Sequence, residues 1–187
     1  ITVDQQLFFF INHLPHNRLF DLAALAVSGV GTAGIIWLLL GVFLFFREEK
    51  KDRWFALQIG TTGFFAWGLV EQVIKPLVAR SRPGLEAGAI IVGGGSSSFS
   101  FPSGHAAIAW AMAALLSQKE PRCRWVFYSL AAAISFSRIY LGVHYPLDVV
   151  SGAILGLGIG VCVYSFTKLV KEKVYLTQSK KSYKNNT

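Results

Sequence analysis

The chain has 187 residues, 53% of them hydrophobic and 15% charged, with 18 Lys and Arg against 10 Asp and Glu for a net charge of +8. A single domain is the expectation at this length, and a soluble one carries about 25% charged residues, so the apolar excess excludes an ordinary water-soluble globule. The mean hydropathy of +0.47 and the crowding of charges into the gaps between long apolar windows indicate an all-α integral membrane helical bundle and argue against a nucleic-acid arm.

In chain order, the segment from Val3 to Leu14 mixes polar residues with Leu7, Phe8, Phe9, Phe10 and Ile11. It is too short to cross a bilayer and predicts an interfacial helix, with Leu14-Pro15-His16-Asn17 turning the chain into the first span. Leu22 to Phe46 is uncharged and as a helix rises about 37 Å, enough for a hydrocarbon core of about 30 Å. Trp54 to about Pro76 is the second span, with Glu71 and Lys75 near its end. A glycine and serine run, Gly93 to Ser98, marks an outer loop within 88–101, a lid or simply a linker. Gly104 to Ser117 is the third span, short unless its flanks extend it. Trp125 to Leu141, with Arg138 near its far end, is the fourth, and Leu147 to Phe166 the fifth. Residues 1–170 therefore read as one membrane-embedded domain and 171–187 as a polar, basic tail that need not be ordered.

Two cysteines, Cys123 and Cys162, make no disulfide framework and read as small apolar residues. The chain begins with Ile1, so a trimmed leader is compatible with it. With five spans, the 47–53 and 118–124 loops and the C-terminal tail share one side. They hold thirteen of the eighteen basic residues; Arg18, Lys75, Arg80, Arg82 and Arg138 are the five on the other. Positively charged loops stay in the cytoplasm. The opposite, outer face then carries Lys75, Arg82, His105, Arg138, His144 and Asp148.

That convergence is chemically specific. Lys75 and Arg82 are seven apart and share a face if the helix continues to Pro83. Arg138 adds a planar fork suited to phosphate oxygens. Pro102-Ser103-Gly104-His105 opens the third span: Ser103 fits an N-cap, Gly104 allows close backbone approach, and a helix N-terminus favours an anion. His144 precedes Asp148 by four residues, so the carboxylate can hold one imidazole nitrogen and leave the other to attack phosphorus. His105 can protonate the departing oxygen.

Lys75-x6-Arg82-Pro83, Pro102-Ser103-Gly104-His105 and Ser137-Arg138-x5-His144-x3-Asp148 together resemble the three-part signature of the type-2 phosphatidic acid phosphatase superfamily, which includes membrane lipid phosphatases and soluble vanadium haloperoxidases. The resemblance implies that His144 forms a phosphohistidine, that Asp148 orients it, and that His105 is the general acid and later activates water. It implies a phosphate cradle of Lys75, Arg82, Arg138, Ser103 and the Gly104 N–H, with no metal and no cofactor. It also implies a lipid phosphate substrate and membrane lipids as partners, not nucleic acid, and a bacterial inner (cytoplasmic) membrane as the location, with the site facing the periplasm or exterior. Undecaprenyl pyrophosphate, phosphatidylglycerophosphate and lipid A 1-phosphate are the candidate substrates, a polyprenyl or glycolipid phosphate being favoured. Lipid-to-lipid phosphotransfer at the same site, or a non-catalytic lipid-phosphate binder or transporter, are the alternatives.

Blander roles compete for some residues. Glu71 could merely neutralise Lys75 at i+4. Arg80, outside the matched pattern, is expected to snorkel. Tyr140 and Tyr145 are expected to be interface anchors, and His13 and His16 surface histidines at the headgroups.

Overall fold

A computed structural model describes residues 2–31, 35–47, 53–85, 88–94 and 98–185, and all regular structure among them is helical. Helix α1 covers Val3–Asn12, α2 Arg18–Gly31, α3 Ile35–Arg47 and α4 Arg53–Trp67. The chain then widens into a π-helix, Gly68–Ile74, before the short α5, Lys75–Val78. Helix α6 is Gly104–Lys119, α7 Arg124–Tyr140 and α8 Pro146–Asn185. The expected first span coincides with α2 and α3, whose junction at 32–34 lies outside the described residues. So do most of the basic 47–53 loop and the centre of the glycine and serine run, 95–97.

The bundle is built around α6, from Ala106 to Ser117 almost wholly buried. Its neighbours are α4, α7 and α8. Close approach to α8 is the decisive contact: Gly152, Gly156 and Gly160 fall four residues apart on one face of α8, and a Cβ on Gly156 or Gly160 would overlap the carbonyl oxygens of Ala107 and Ala111. Small residues at helical spacing bring backbones together in this way between membrane helices. Toward the far end, Trp37, Phe55, Leu115, Leu116, Phe127 and Ile134 fill the largest apolar cluster.

Helix α1 opens with a capping box, Thr2 accepting from the Gln5 N–H and Gln5 accepting from the Thr2 N–H. Phe8 is buried while Val3, Leu7 and Phe10 stay exposed, an apolar face at i, i+4 and i+7. The π-helix precedes Pro76, which lacks an N–H and crowds the carbonyl four residues earlier; widening the turn relieves that crowding. The helix does not continue to Pro83. It ends at Val78, capped by Ala79 in the left-handed region at φ 49°, so Lys75 and Arg82 do not share a helical face.

The described residues between 80 and 103 fold back over the ends of α1, α7 and α8. Asn12, wholly buried, donates to the carbonyls of Ile90 (2.8 Å) and Tyr140 (2.9 Å) and accepts from the Ile90 N–H (2.8 Å). Gly142, at φ 76°, turns the chain beneath Ile90, whose carbonyl occupies the space of a side chain. Among the described residues one helix, α8 over Pro146–Thr177 with an 18-residue window of mean hydropathy 2.0, is by itself long and apolar enough to cross a membrane. Past Lys168 the lysine-rich segment continues as helix to Asn185, in keeping with the good helix propensity of Lys, Glu and Gln. Cys123 and Cys162 are free thiols, Cys162 on the exposed face of α8.

Candidate active site

Four segments converge at one end of the bundle: the α5 end with the loop after it, the turn before α6, the last turn of α7, and the α7–α8 connection. The local sequence explains each position. Ser103 caps α6, its hydroxyl accepting from the Ala106 N–H at 3.5 Å. The Ser103 N–H donates to the Asp148 carbonyl at 2.9 Å, which ties the start of α6 to the start of α8. His144 lies in the connection after Gly142, 1% exposed, and Asp148 in the first turn of α8, 0% exposed.

Arg82 is the hub of the cationic wall. Its Nε donates to the Ser98 carbonyl at 2.7 Å, one Nη to the Val143 carbonyl at 2.6 Å, and the other to the Ser98 hydroxyl at 3.0 Å. The Nη on Val143 also lies 3.1 Å from His144 Nε2. A guanidinium only donates, so Nε2 is the acceptor and the ring proton is on Nδ1. Burial, with Arg82 and Arg138 adding to it and Asp148 opposing it, lowers the His144 pKa to about 4, so the imidazole is neutral at physiological pH.

Asp148 Oδ2 stands 3.7 Å from Nδ1, beyond hydrogen-bond length. The Ser100 hydroxyl fills the gap, donating to Oδ2 at 2.5 Å and lying 3.4 Å from Nδ1. The Tyr145 N–H also donates to Oδ2, at 2.9 Å. The other oxygen, Oδ1, accepts from Arg80 at 2.6 Å, and Arg80 reaches Asp4 Oδ2 at 2.5 Å with its second Nη.

Lys75 is 5% exposed and paired with Glu71 at 2.6 Å. Glu71 Oε1 occupies the space a Cβ on Gly104 would need, so this glycine makes room for a carboxylate as well as for backbone. Arg138 binds the Ser28 hydroxyl through one Nη, while its Nε is buried with no hydrogen-bond partner among the described residues. His105, in the first turn of α6, lies within electrostatic reach of Arg138, His144, Lys75 and Arg82. A buried N–H without a partner costs about 1–3 kcal/mol, and the Arg138 guanidinium that carries this one lies within electrostatic reach of Arg82 and Lys75.

Residues 53–171 match the PAP2 superfamily, the family of type-2 phosphatidic acid phosphatases. The chain belongs to the PAP2 superfamily. It is 32% identical to the lipid A 4'-phosphatase of Bacteroides thetaiotaomicron over 88% of this chain and 76% of that one. It is 35% identical to the decaprenylphosphoryl-5-phosphoribose phosphatase of Mycobacterium tuberculosis over 76% and 77%. The crystal structure of Aquifex aeolicus LpxE superposes with a TM-score of 0.71 at 28% identity, covering 88% of this chain and 96% of that one. As a PAP2 membrane lipid phosphatase, the protein is a phosphoric monoester or diphosphate hydrolase.

In this PAP2 phosphatase several roles differ from those expected of the sequence. Arg80 does not snorkel: it bridges two carboxylates and lies 4.4 Å over the Tyr145 ring. Burial opposes its charge, but Asp4 and Asp148 outweigh that and raise its pKa. Tyr140 is no interface anchor; 5% exposed, it donates to Asp21 Oδ1 at 2.8 Å. His16 is drawn in as well, 2.8 Å from Asp21 and stacked on Tyr140. Ser98 and Ser100 escaped sequence reasoning because they sit in a serine-rich loop with no periodicity to single them out.

Proposed function

We propose that the protein hydrolyses the phosphate of a bacterial envelope lipid at the outer leaflet through a phosphohistidine. The observation that carries this reading is the 3.1 Å approach of Arg82 to His144 Nε2. It leaves a neutral imidazole with its lone pair directed at the cationic wall, where a phosphate would take the place of Nε2 as Arg82's partner. In the first step the Nε2–P bond forms and the P–O bond to the lipid breaks, with His105 supplying the proton to the leaving oxygen. In the second, His105 takes a proton from water, the water oxygen bonds to phosphorus, and the N–P bond breaks to release phosphate. Lys75, Arg82, Arg138, the Ser103 hydroxyl and the Gly104 N–H hold the equatorial oxygens as charge builds on them. No step calls for a metal or cofactor.

The topology that goes with this mechanism has five spans: α2 with α3, α4 through α5, α6, α7 and α8. The thirteen basic residues of the connecting loops and tail face the cytoplasm and the site faces the periplasm. The lipid would enter sideways between helices while water reaches phosphorus from outside. Among substrates, a phosphorylated glycolipid of the lipid A type or a polyprenyl phosphate is favoured by the relatives that align along most of the chain.

The test is phosphate release by purified protein from a panel of lipid A 1- and 4'-phosphates, undecaprenyl pyrophosphate and phosphatidylglycerophosphate. One lipid should dominate, and His144→Asn should remove turnover while vanadate binding survives. Undiminished phosphate release by the His144→Asn protein would overturn the mechanism.

A further inference from the structure

Arg80 lies outside the three-part motif, between Lys75 and Arg82, and the backbone before it decides where it goes. Ala79, in the left-handed region at φ 49°, ends α5 and turns the chain out of the helix. A residue with a Cβ is held in that region only where its surroundings impose it. The turn brings Arg80 to the start of α8. One Nη donates to Asp148 Oδ1 at 2.6 Å and the other to Asp4 Oδ2 at 2.5 Å, so a single planar fork joins the first turn of α1 to the first turn of α8. The Arg80 carbonyl accepts from the Ser100 N–H at 2.8 Å, and the Ser100 hydroxyl donates to the second oxygen of Asp148. Arg80 therefore acts on both carboxylate oxygens, on Oδ1 directly and on Oδ2 through Ser100.

Helix α1 holds this arginine from two directions. Asp4 and Phe8 are four residues apart and share a face. Asp4 accepts from Arg80 and, with its other oxygen, from the Leu147 N–H at 2.8 Å. Phe8, buried, meets the Tyr145 ring edge-on with centroids 5.3 Å apart, and the guanidinium lies 4.4 Å over that same ring, a cation–π contact. Asp148 is wholly buried, and Asp4 and Arg80 are largely withdrawn from water, where ion pairs are screened less than at a surface. A carboxylate gripped at one oxygen can still swing about its Cβ–Cγ bond. Gripped at both, it presents Oδ2 to His144 in one orientation.

We propose that Arg80 is a positioning residue held by Asp4, and that α1 belongs to the active site because the Asp4–Arg80 bridge sets the orientation of Asp148 toward His144. Arg80 acts through Asp148, and Asp4 through Arg80. The proposal rests on the roles given above to His144 and Asp148.

The test joins steady-state kinetics, on the lipid that the phosphate-release panel selects, to nitrogen NMR of isotope-labelled histidine rings in the full chain, with His144 assigned by its loss in His144→Asn. Arg80→Gln should lower kcat about 30-fold at nearly constant KM and move the His144 ring resonances. Arg80→Lys, which keeps the charge but cannot fork to two carboxylates, should recover part of that loss. Asp4→Asn keeps an oxygen for the Leu147 N–H and should cost about fivefold in kcat. The double variant of Asp4→Asn with Arg80→Gln should lose no more than Arg80→Gln alone. Thermal melts identify any variant that does not fold; Arg80→Lys and Asp4→Asn, which keep the most contacts, then decide by their kinetics and resonances. The NMR readout needs no turnover, so a His144→Asn protein that still releases phosphate would refute the nucleophile without altering what the resonances say of Arg80. Unmoved His144 resonances, losses that multiply in the double variant, or a rise in KM with kcat unchanged overturn the proposal.

Discussion

The smallest scale at which the site is decided is the pair His144 and Asp148, and Ser100 between them. The 3.7 Å gap from Nδ1 to Oδ2 leaves the carboxylate too far to take the ring proton directly, so the Ser100 hydroxyl, 2.5 Å from Oδ2, shares the work of fixing the ring. Without it, Asp148 loses a donor to its charge and acts more strongly on His144. Ser100→Ala should therefore lower kcat about 10-fold, the equivalent of one lost hydrogen bond to a charged group, and move the acid limb of kcat/KM to higher pH. A pH profile of the variant distinguishes this from a loss of folding, which would lower the rate at every pH alike. For the parent protein the acid limb due to His144 should fall near pH 4. The folded state sheds a proton there that an unfolded histidine keeps up to about pH 6.5. Stability is then full above pH 6.5 and falls as the pH drops through about 4, which thermal melts across that window check.

Between elements, the registry of α6 against α8 positions the groups to which catalysis is proposed above. Ser103 caps α6 and His105 lies in its first turn, while Asp148 belongs to α8 with His144 just before it, so any separation of the two backbones would separate the proposed proton donor from the proposed nucleophile. Gly156 is the tightest point, its missing side chain replaced by the Ala107 carbonyl and the Ala111 N–H. Gly156→Ala should destabilise the fold by about 2–3 kcal/mol and reduce turnover more than substrate affinity, whereas the same change at Gly158, with nothing within 4 Å, should be nearly silent. Thermal melts and a split of kcat from KM measure both. The link from α1 is of the same kind: Asp4 accepts from Arg80 and from the Leu147 N–H at 2.8 Å, so the N-terminal helix is fastened to the residue beside Asp148.

Across the whole molecule, charge is sorted by end. Lys75, Arg82 and Arg138 gather where α5, α7 and the described part of the loop after α5 meet, and Lys119, Lys168 and Lys171 gather at the other end of the bundle. Between them the surface is apolar, with Phe43, Phe64, Ile154 and Phe166 all more than half exposed, the side chains that a hydrocarbon solvent would cover. If the proposed orientation holds, trypsin added to sealed right-side-out vesicles should spare the lysines near 180, and added to inverted vesicles should cut them. Cleavage from the outer side would reverse the orientation.

The residue types and spacings along the chain were enough to read a helical membrane bundle, its family, and the groups that meet at one end, because hydropathy and a three-part motif are local properties that survive any detail of packing. They did not reveal that the helix carrying Lys75 stops at Val78, that Arg80 joins Asp4 to Asp148, or that Tyr140 and His16 are drawn in on Asp21. Nor did they single out Ser100. The side-chain contacts of Arg80 with Asp4, Ser100 with Asp148 and Tyr140 with Asp21 join residues between 48 and 119 apart in sequence, brought together by the packing of the helices and by a loop with no periodicity to read. A hydrogen bond is chosen by which groups the fold leaves buried and unsatisfied, and that is settled only when the helices pack.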